Sequence, residues 1–264
     1  MHIRRVIPIV AAMVVLGGTF VACSKKPNEQ EQKKAQLDQQ FTTIQQTYDQ
    51  LQQTRSDLSQ AEQRKQELEG ISERRRTDEQ KQELDEVTNK IQELNSTRDT
   101  AFDQLQSNLA DFLNVALNDF PDDPHTVDAL RIYSEEAIIY ADEAVQGAGD
   151  YKKALSRLTN AMGYYQAINA EPYPPLQQKI QELEELRYIT KERFDQIKNG
   201  MTKDQVKEIA GVPYYANIRE EKAKGIEMWL YPKKEGGAAG VYFKMKTGKV
   251  YAKNFDAVKP QVVE

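Results

Sequence analysis

The sequence predicts a mainly α chain that ends in a small α+β domain, and three observations carry that class. From Glu29 to about Asn118 there is no proline and a single glycine, Gly70. Within that span apolar residues recur at alternating spacings of four and three, the period of a helix seam. After about residue 188 the pattern changes to short helices punctuated by glycine, followed by alternating strand runs joined by charged or Gly-rich turns. Composition agrees. Of 264 residues, 39% are hydrophobic and the mean hydropathy is −0.74, so the core is thin and much of the chain is solvated helix. With 36 Lys and Arg against 41 Asp and Glu, the chain is acidic, which argues against general nucleic-acid binding.

The chain opens with "MHIRRVIPIVAAMVVLGGTFVACSKK". His2, Arg4 and Arg5 precede an apolar run from Val6 to Ala22, which is too short and too sharply ended for a comfortable membrane span. The run stops at "FVAC", directly before Cys23, the one cysteine of the sequence. This junction resembles the lipobox of bacterial lipoproteins. The resemblance implies that residues 1–22 are a signal peptide, that Cys23 carries the acyl chains, and that residues 23–29 link the anchor to the body. A lone cysteine has no intramolecular disulfide partner, which suits lipidation. The alternative is a plain signal peptide with an incidental cysteine. Ser24 follows Cys23, and by the same resemblance this favours the outer membrane, with the chain lipid-anchored and facing the periplasm. Two or three acyl chains anchor far more firmly than one, at ~0.8 kcal/mol per buried methylene.

Residues 30–118 read as a coiled-coil hairpin. Leu37, Phe41, Ile44, Tyr48, Leu51 and Leu58 form one seam, with Arg55 filling the gap. Leu84, Val87, Ile91 and Leu94, then Phe102, Leu105, Leu109, Phe112 and Ala116, form another, out of phase with the first. Between them lies "EGISERRRTDEQ", where Gly70 ends one helix and Thr77 with Gln80 makes a capping box for the next. Antiparallel pairing requires facing residues to have a constant number sum. Leu68/Leu84 and Leu58/Leu94 give 152, while Ile44/Leu109 and Phe41/Phe112 give 153. The same arithmetic sets Arg55 against Arg98, a like-charge pair that must splay or find acidic neighbours. One continuous helix that dimerises is the alternative. In the hairpin, Arg74, Arg75 and Arg76 mark the far tip, either as a solvated turn or as a contact for an anionic surface.

Residues 119–187 form a second helical module. Pro121 and Pro124 punctuate its start, a helix runs from Thr126 to Gln146, and "GAGDYKKALSRLTNAM" follows. The Gly149-Asp150-Tyr151 turn, with Ala154 and Ala161 seven residues apart, resembles the turn and second helix of one tetratricopeptide unit, so the module is TPR-like. His125 stands beside Asp122, Asp123 and Asp128; Asp123 and Thr126 read as helix-start residues and His125 as incidental to them, so no metal site is assigned. "EPYPPLQQ" opens another helix, with Leu176, Ile180, Leu183 and Leu186 as its stripe.

Residues 188–257 carry the α+β domain, with 258–264 as a tail. Thr190 starts a short helix bearing Phe194 and Ile197, which Gly200 ends in a left-handed conformation. Thr202 with Gln205 caps a second helix that buries Met201, Val206 and Ile209 and closes at Gly211. Strand-like runs follow at Tyr214–Arg219, Ile226–Tyr231, Val241–Met245 and Val250–Phe255, with "KTGK" as a hairpin turn. The expected architecture is two short helices on a three- to four-stranded antiparallel sheet. Tyr188, Thr190, Ile197, Gly200, Met201, Thr202, Val206, Gly211, Pro213, Trp229, Tyr231 and Phe243 together resemble the SmpA/OmlA (BamE-like) family of outer-membrane assembly lipoproteins. That resemblance implies a protein-docking domain, with Tyr188, Ile189 and Trp229 as candidate partner-binding residues. Trp229 and Tyr231 alternate with Met228 and Leu230, so one pair faces the helices and the other is free for a partner; Trp229 stands equally as core.

The sequence offers no nucleophile elbow, no phosphate loop, and one histidine after residue 22, so neither an enzyme nor a cofactor is expected. The first functional reading is a non-catalytic envelope lipoprotein, a scaffold or accessory factor in outer-membrane β-barrel assembly. Its expected partners are envelope proteins, with membrane contact through lipid alone. The second is an envelope tether or signalling lipoprotein whose C-terminal domain binds another protein, since similar folds occur in β-lactamase inhibitor proteins.

Overall fold

The two long apolar stretches fold back on each other. In the computed structural model, which describes residues 28–259, helix α1 (Glu29–Gly70) and helix α2 (Asp78–Asp119) are 42 residues each and pack antiparallel. Each is therefore about 63 Å long. Local chemistry sets both starts. Asn28 and Glu31 form a capping box on α1, and Thr77 and Gln80 form the expected one on α2. One 3₁₀ turn, Glu73–Arg75, makes the bend. The arginine triplet divides there. Arg76 donates to the carbonyls of Leu68 and Glu69 at 2.9 and 3.0 Å, satisfying the orphan end of α1, while Arg74 and Arg75 are exposed.

The seam follows the antiparallel register, with the rings of Phe41 and Phe112 5.8 Å apart and Lys33 bridging to Asp119 at the open end. Toward the tip the two helices bury the α1 side of the seam, at Leu58, Ala61 and Leu68, while Leu84, Val87, Ile91 and Leu94 of α2 are only half-buried. From Leu51 back to Leu37, and from Ala101 to Ala116, the seam is sealed by helix α3 (Pro124–Ala148). Pro124 sits at the first helical position and Asp123 caps it, accepting from the His125 N–H at 2.9 Å.

The position of α3 resolves the arginine conflict in the seam. Arg55 turns away from Arg98 and donates twice to Glu136, at 2.6 and 2.7 Å, and that carboxylate is 1% exposed. Burial works to lower the Arg55 pKa, but the bonds and charge of Glu136 outweigh it and hold the group higher than usual. Arg98 instead binds its neighbour Asp99 at 2.7 Å. At the other end of α3, Lys34 contacts both Asp38 and Asp123, and the His125 ring stacks on Phe41 at 4.4 Å.

Helices α4 (Tyr151–Ala167) and α5 (Pro174–Arg187) complete the helical body. Ala129, Ala137 and Ala141 on α3 and Ala154 and Ala161 on α4 are fully buried, so these helices approach closely. The C-terminal domain follows, with α6 (Lys191–Gln196), α7 (Lys203–Ala210), and strands β1 (Ile218–Glu221), β2 (Ile226–Pro232), β3 (Ala238–Lys244) and β4 (Lys249–Val258). The sheet is antiparallel in the order β1-β2-β3-β4. Phe194, Ile197, Val206 and Ala210 pack on Trp229, Val241, Phe243 and Val250.

Three local expectations need correction. Gly200 does not end α6, which stops at Gln196; its φ of 92° instead lets its N–H reach the Val250 carbonyl at 2.7 Å. Tyr215–Asn217 form a 3₁₀ turn, so the first strand begins only at Ile218. Strand β4 runs to Val258, one residue into the expected tail.

The two punctuated turns of the sequence meet in space. Gly149, at φ 63°, lies against Pro213; a Cβ there would stand 2.3 Å from the Pro213 oxygen. Tyr151 accepts from the Val212 N–H at 3.0 Å, and a Cβ on Gly211 would stand 2.3 Å from its hydroxyl oxygen. The Tyr231 hydroxyl donates to the Gly211 carbonyl at 3.2 Å. Only glycine fits both positive φ and such contact.

Two outcomes are expected. Glu136→Ala leaves Arg55 unpaired and half-buried and lowers stability by about 2–3 kcal/mol in urea unfolding, whereas Arg55→Met with Glu136→Leu recovers most of it. Gly149→Ala forces the two domains apart, read as faster proteolysis in the 211–217 loop with helical circular dichroism unchanged.

Candidate docking surface

The β2–β3 register sets which side chains the sheet turns outward. Trp229 pairs with Val241, and Glu227 with Phe243, on the helix-covered face. Met228 pairs with Tyr242, and Leu230 with Gly240, on the other. Trp229 is 3% exposed, packs on Phe243 at 4.5 Å, and donates its indole N–H to Glu227 at 2.7 Å; Lys203 also binds that carboxylate. Trp229 is thus a core residue, correcting its assignment to a partner. Ile189 is corrected likewise: it is 3% exposed and joins the same core, while its N–H donates to the Pro232 carbonyl at 2.9 Å.

Tyr188 remains at the surface, half-buried, with the Arg187 guanidinium 5.0 Å from its ring. It lines a groove of about 730 Å³ with Thr190, Lys191, Lys234 and Phe255. Phe255 anchors the groove floor: it packs on Phe194 at 5.3 Å, and Lys233 stands 4.8 Å from its ring. Behind the groove Arg193 donates to the Tyr188 carbonyl, and burial holds its pKa below the usual value. Lys253 donates to the Phe194 carbonyl at 2.7 Å; burial first, then Lys198, lowers its pKa.

The uncovered face of the sheet carries Met228, Tyr242 and Tyr251, all half-buried, with the two tyrosine rings edge to face at 6.4 Å. Arg219 and Lys244 frame them. Elsewhere in the domain Tyr215 is 62% exposed and Met245 39% exposed. Aromatic and methionine side chains framed by cations are the composition of a protein-interface centre. Sequence reasoning left open which of the strand pairs faces out and did not single out Tyr242, Tyr251 or Phe255. The alternation of Ala239, Val241 and Phe243 against Gly240, Tyr242 and Lys244 contained the signal for the β3 residues.

Comparison with known proteins bears on this domain. Residues 184–264 match a family model described as "Beta-lactamase inhibitor (BLIP)". The match covers less than a third of the chain and so speaks for the C-terminal domain alone. It overturns the resemblance to the SmpA/OmlA family. The glycines and capping boxes behind that resemblance encode two short helices on a small sheet, and different families meet that requirement with the same punctuation. Neither the curated proteins nor the solved structures contain a match. The expected signal peptide and the expected lipidation at Cys23 fall on residues 1–23, outside the described residues. Among the described residues, no helix is long and apolar enough to cross a membrane.

Asp38, Asp123 and His125 present ligand atoms within 4.8 Å of one another. His125 Nδ1 is 3.0 Å from Asp38, and the Lys34 ammonium sits 2.9 Å from Asp123. The cluster joins α1 to the start of α3, and a lysine already serves as its cation.

Substitutions separate the two sheet faces. Trp229→Ala is expected to cost about 3–5 kcal/mol by emptying the core. Tyr242→Ala is expected to stay within about 1 kcal/mol of wild type in the same unfolding measurement, because the side chain packs on no helix.

Proposed function

We propose that the chain is a non-catalytic envelope lipoprotein whose C-terminal domain docks a protein ligand. The observation that carries this reading is the match of residues 184–264 to the β-lactamase inhibitor family, a family named for action on another protein. The uncovered sheet face supports it, offering Met228, Tyr242 and Tyr251 on a rigid, hydrogen-bonded support. The groove beside Tyr188, walled on one side by Gln181, Glu184 and Glu185 of α5, adds Tyr188 and Phe255 to the accessible surface. Anchoring rests on the sequence expectation that Cys23 bears lipid. A lipid anchor confines the domain to a surface, where even a weak docking site gains from high effective concentration. β-Barrel assembly drew its support from the SmpA/OmlA resemblance, and with that corrected, the tether or signalling reading is the better supported.

The test places a photo-crosslinking amino acid at position 242 of the full chain in cells, with position 62 on the exposed hairpin as control. Protein adducts specific to position 242, lost with Met228→Lys, are expected. Adducts at 62 alone would refute docking through the sheet. Purified chain is also titrated into a β-lactamase reaction with a chromogenic substrate; inhibition would identify the partner class, and its absence points to a different protein ligand. Cys23→Ser is expected to move the chain from the membrane to the soluble fraction.

A further inference from the structure

A second surface lies on the helical body, away from the sheet. Between α2 and α4 run two adjoining hollows of about 600 and 400 Å³ that share Gln106 and Arg157. Tyr133 and Tyr140 of α3, seven residues apart, contribute to their lining. Over these rings stand the cations of α4. Lys153 lies 5.2 Å from the Tyr140 centroid, and Arg157 lies 4.6 Å from that of Tyr133. Arg157 Nη2 donates to Gln106 Oε1 at 2.6 Å, which aims the guanidinium along the groove.

Two features suit this groove to an acidic occupant. Among the described residues, Lys152, Lys153 and Arg157 form no ion pair, in a chain with 41 acidic residues. Asp150, the carboxylate that shares the lining, is committed as the α4 cap, accepting from the Lys153 N–H at 3.0 Å. Moreover Arg157 Nε and Gln106 Nε2 are buried donors that meet no acceptor among the described residues. The exposed Lys152 and Lys153 and the partly exposed Arg157 guanidinium are the groups an incoming carboxylate meets.

We infer that the α2–α4 groove binds an acidic amphipathic helix of a partner protein. Its walls are helices whose backbone groups are already paired, so an extended strand would find no backbone partners there, whereas a helix satisfies its own. From Phe102 to Asn118 the groove runs sixteen positions along α2, about 24 Å, or roughly four helical turns. Apolar residues of the occupant rest on Phe102, Ala110 and Leu117, and its carboxylates meet Arg157 and Lys153.

The probe is a fluorescein-labelled sixteen-residue helix with leucines on one face flanked by glutamates, titrated against the full chain by anisotropy. Saturable binding is expected, weakened at least tenfold by Arg157→Glu and by Lys153→Glu, and unchanged by Tyr242→Ala, which disables the sheet surface instead. Lys153 is exposed, so its variant retains the fold, checked by circular dichroism. The inference is overturned if both charge reversals bind like wild type, or if a scrambled peptide of the same composition binds equally. Tighter binding of a single-stranded oligonucleotide or of anionic phosphatidylglycerol vesicles would overturn it too, assigning the groove to a different polyanion.

Discussion

The ion pair between Arg55 and Glu136 ties the third helix to the hairpin at the one charged position of the seam's first half. Arg55 interrupts an otherwise apolar seam, and in a free two-helix hairpin it would face Arg98. Placing Glu136 against it turns a fault of the seam into the one position where α3 meets a buried, bidentate partner. Such a pair gives specificity of register more than net stability, because desolvating both charges offsets much of their attraction. From that level toward the open end the seam shares one core with α3, and toward the tip the two hairpin helices cover each other. The thick, three-helix base is held as well by Lys34 on Asp123, by His125 on Phe41 and by the shared apolar core.

The second constraint is the contact between the helical body and the α+β domain. It is narrow and specific: two glycines in the left-handed region, a tyrosine hydroxyl accepting a backbone N–H, and a second tyrosine closing on the same loop. The buried Tyr151 and Tyr231 hydroxyls both have pKa values raised by desolvation, so they remain neutral donors and acceptors across the physiological range. Because α6 and α7 pack on one face of the sheet, the opposite face is left as the domain's uncovered surface.

Much of this was legible locally. The capping boxes at Thr77/Gln80 and Thr202/Gln205, the break at Gly70 and the constant-sum seam each depend on residues within a few positions or on a simple period, and each appears in the structure. The candidate site was legible only in part. Tyr188 lies at the surface, but Ile189 and Trp229 went to the core, because strand alternation defines two faces without saying which one the helices will cover. The family was misread for a related reason: Gly200, Gly211 and Pro213 answer to the backbone path of a small α+β domain, and that path does not carry a partner's identity.

By itself, then, the sequence determined the elements: two long helices with a turn between them, a shorter helical module, and two capped helices before a small antiparallel sheet. These are consequences of periodicity, capping and turn chemistry, which act over short distances along the chain. Tertiary structure alone decided the partner of Arg55, the meeting of Gly149 with Pro213, the inward turn of Trp229, and the convergence of Gln106, Tyr133 and Arg157 on one groove. Each of these joins residues from separate elements, 24 to 81 positions apart where side chains bond or stack across helices. Their geometry depends on how finished helices and sheet pack, and no local pattern encodes that.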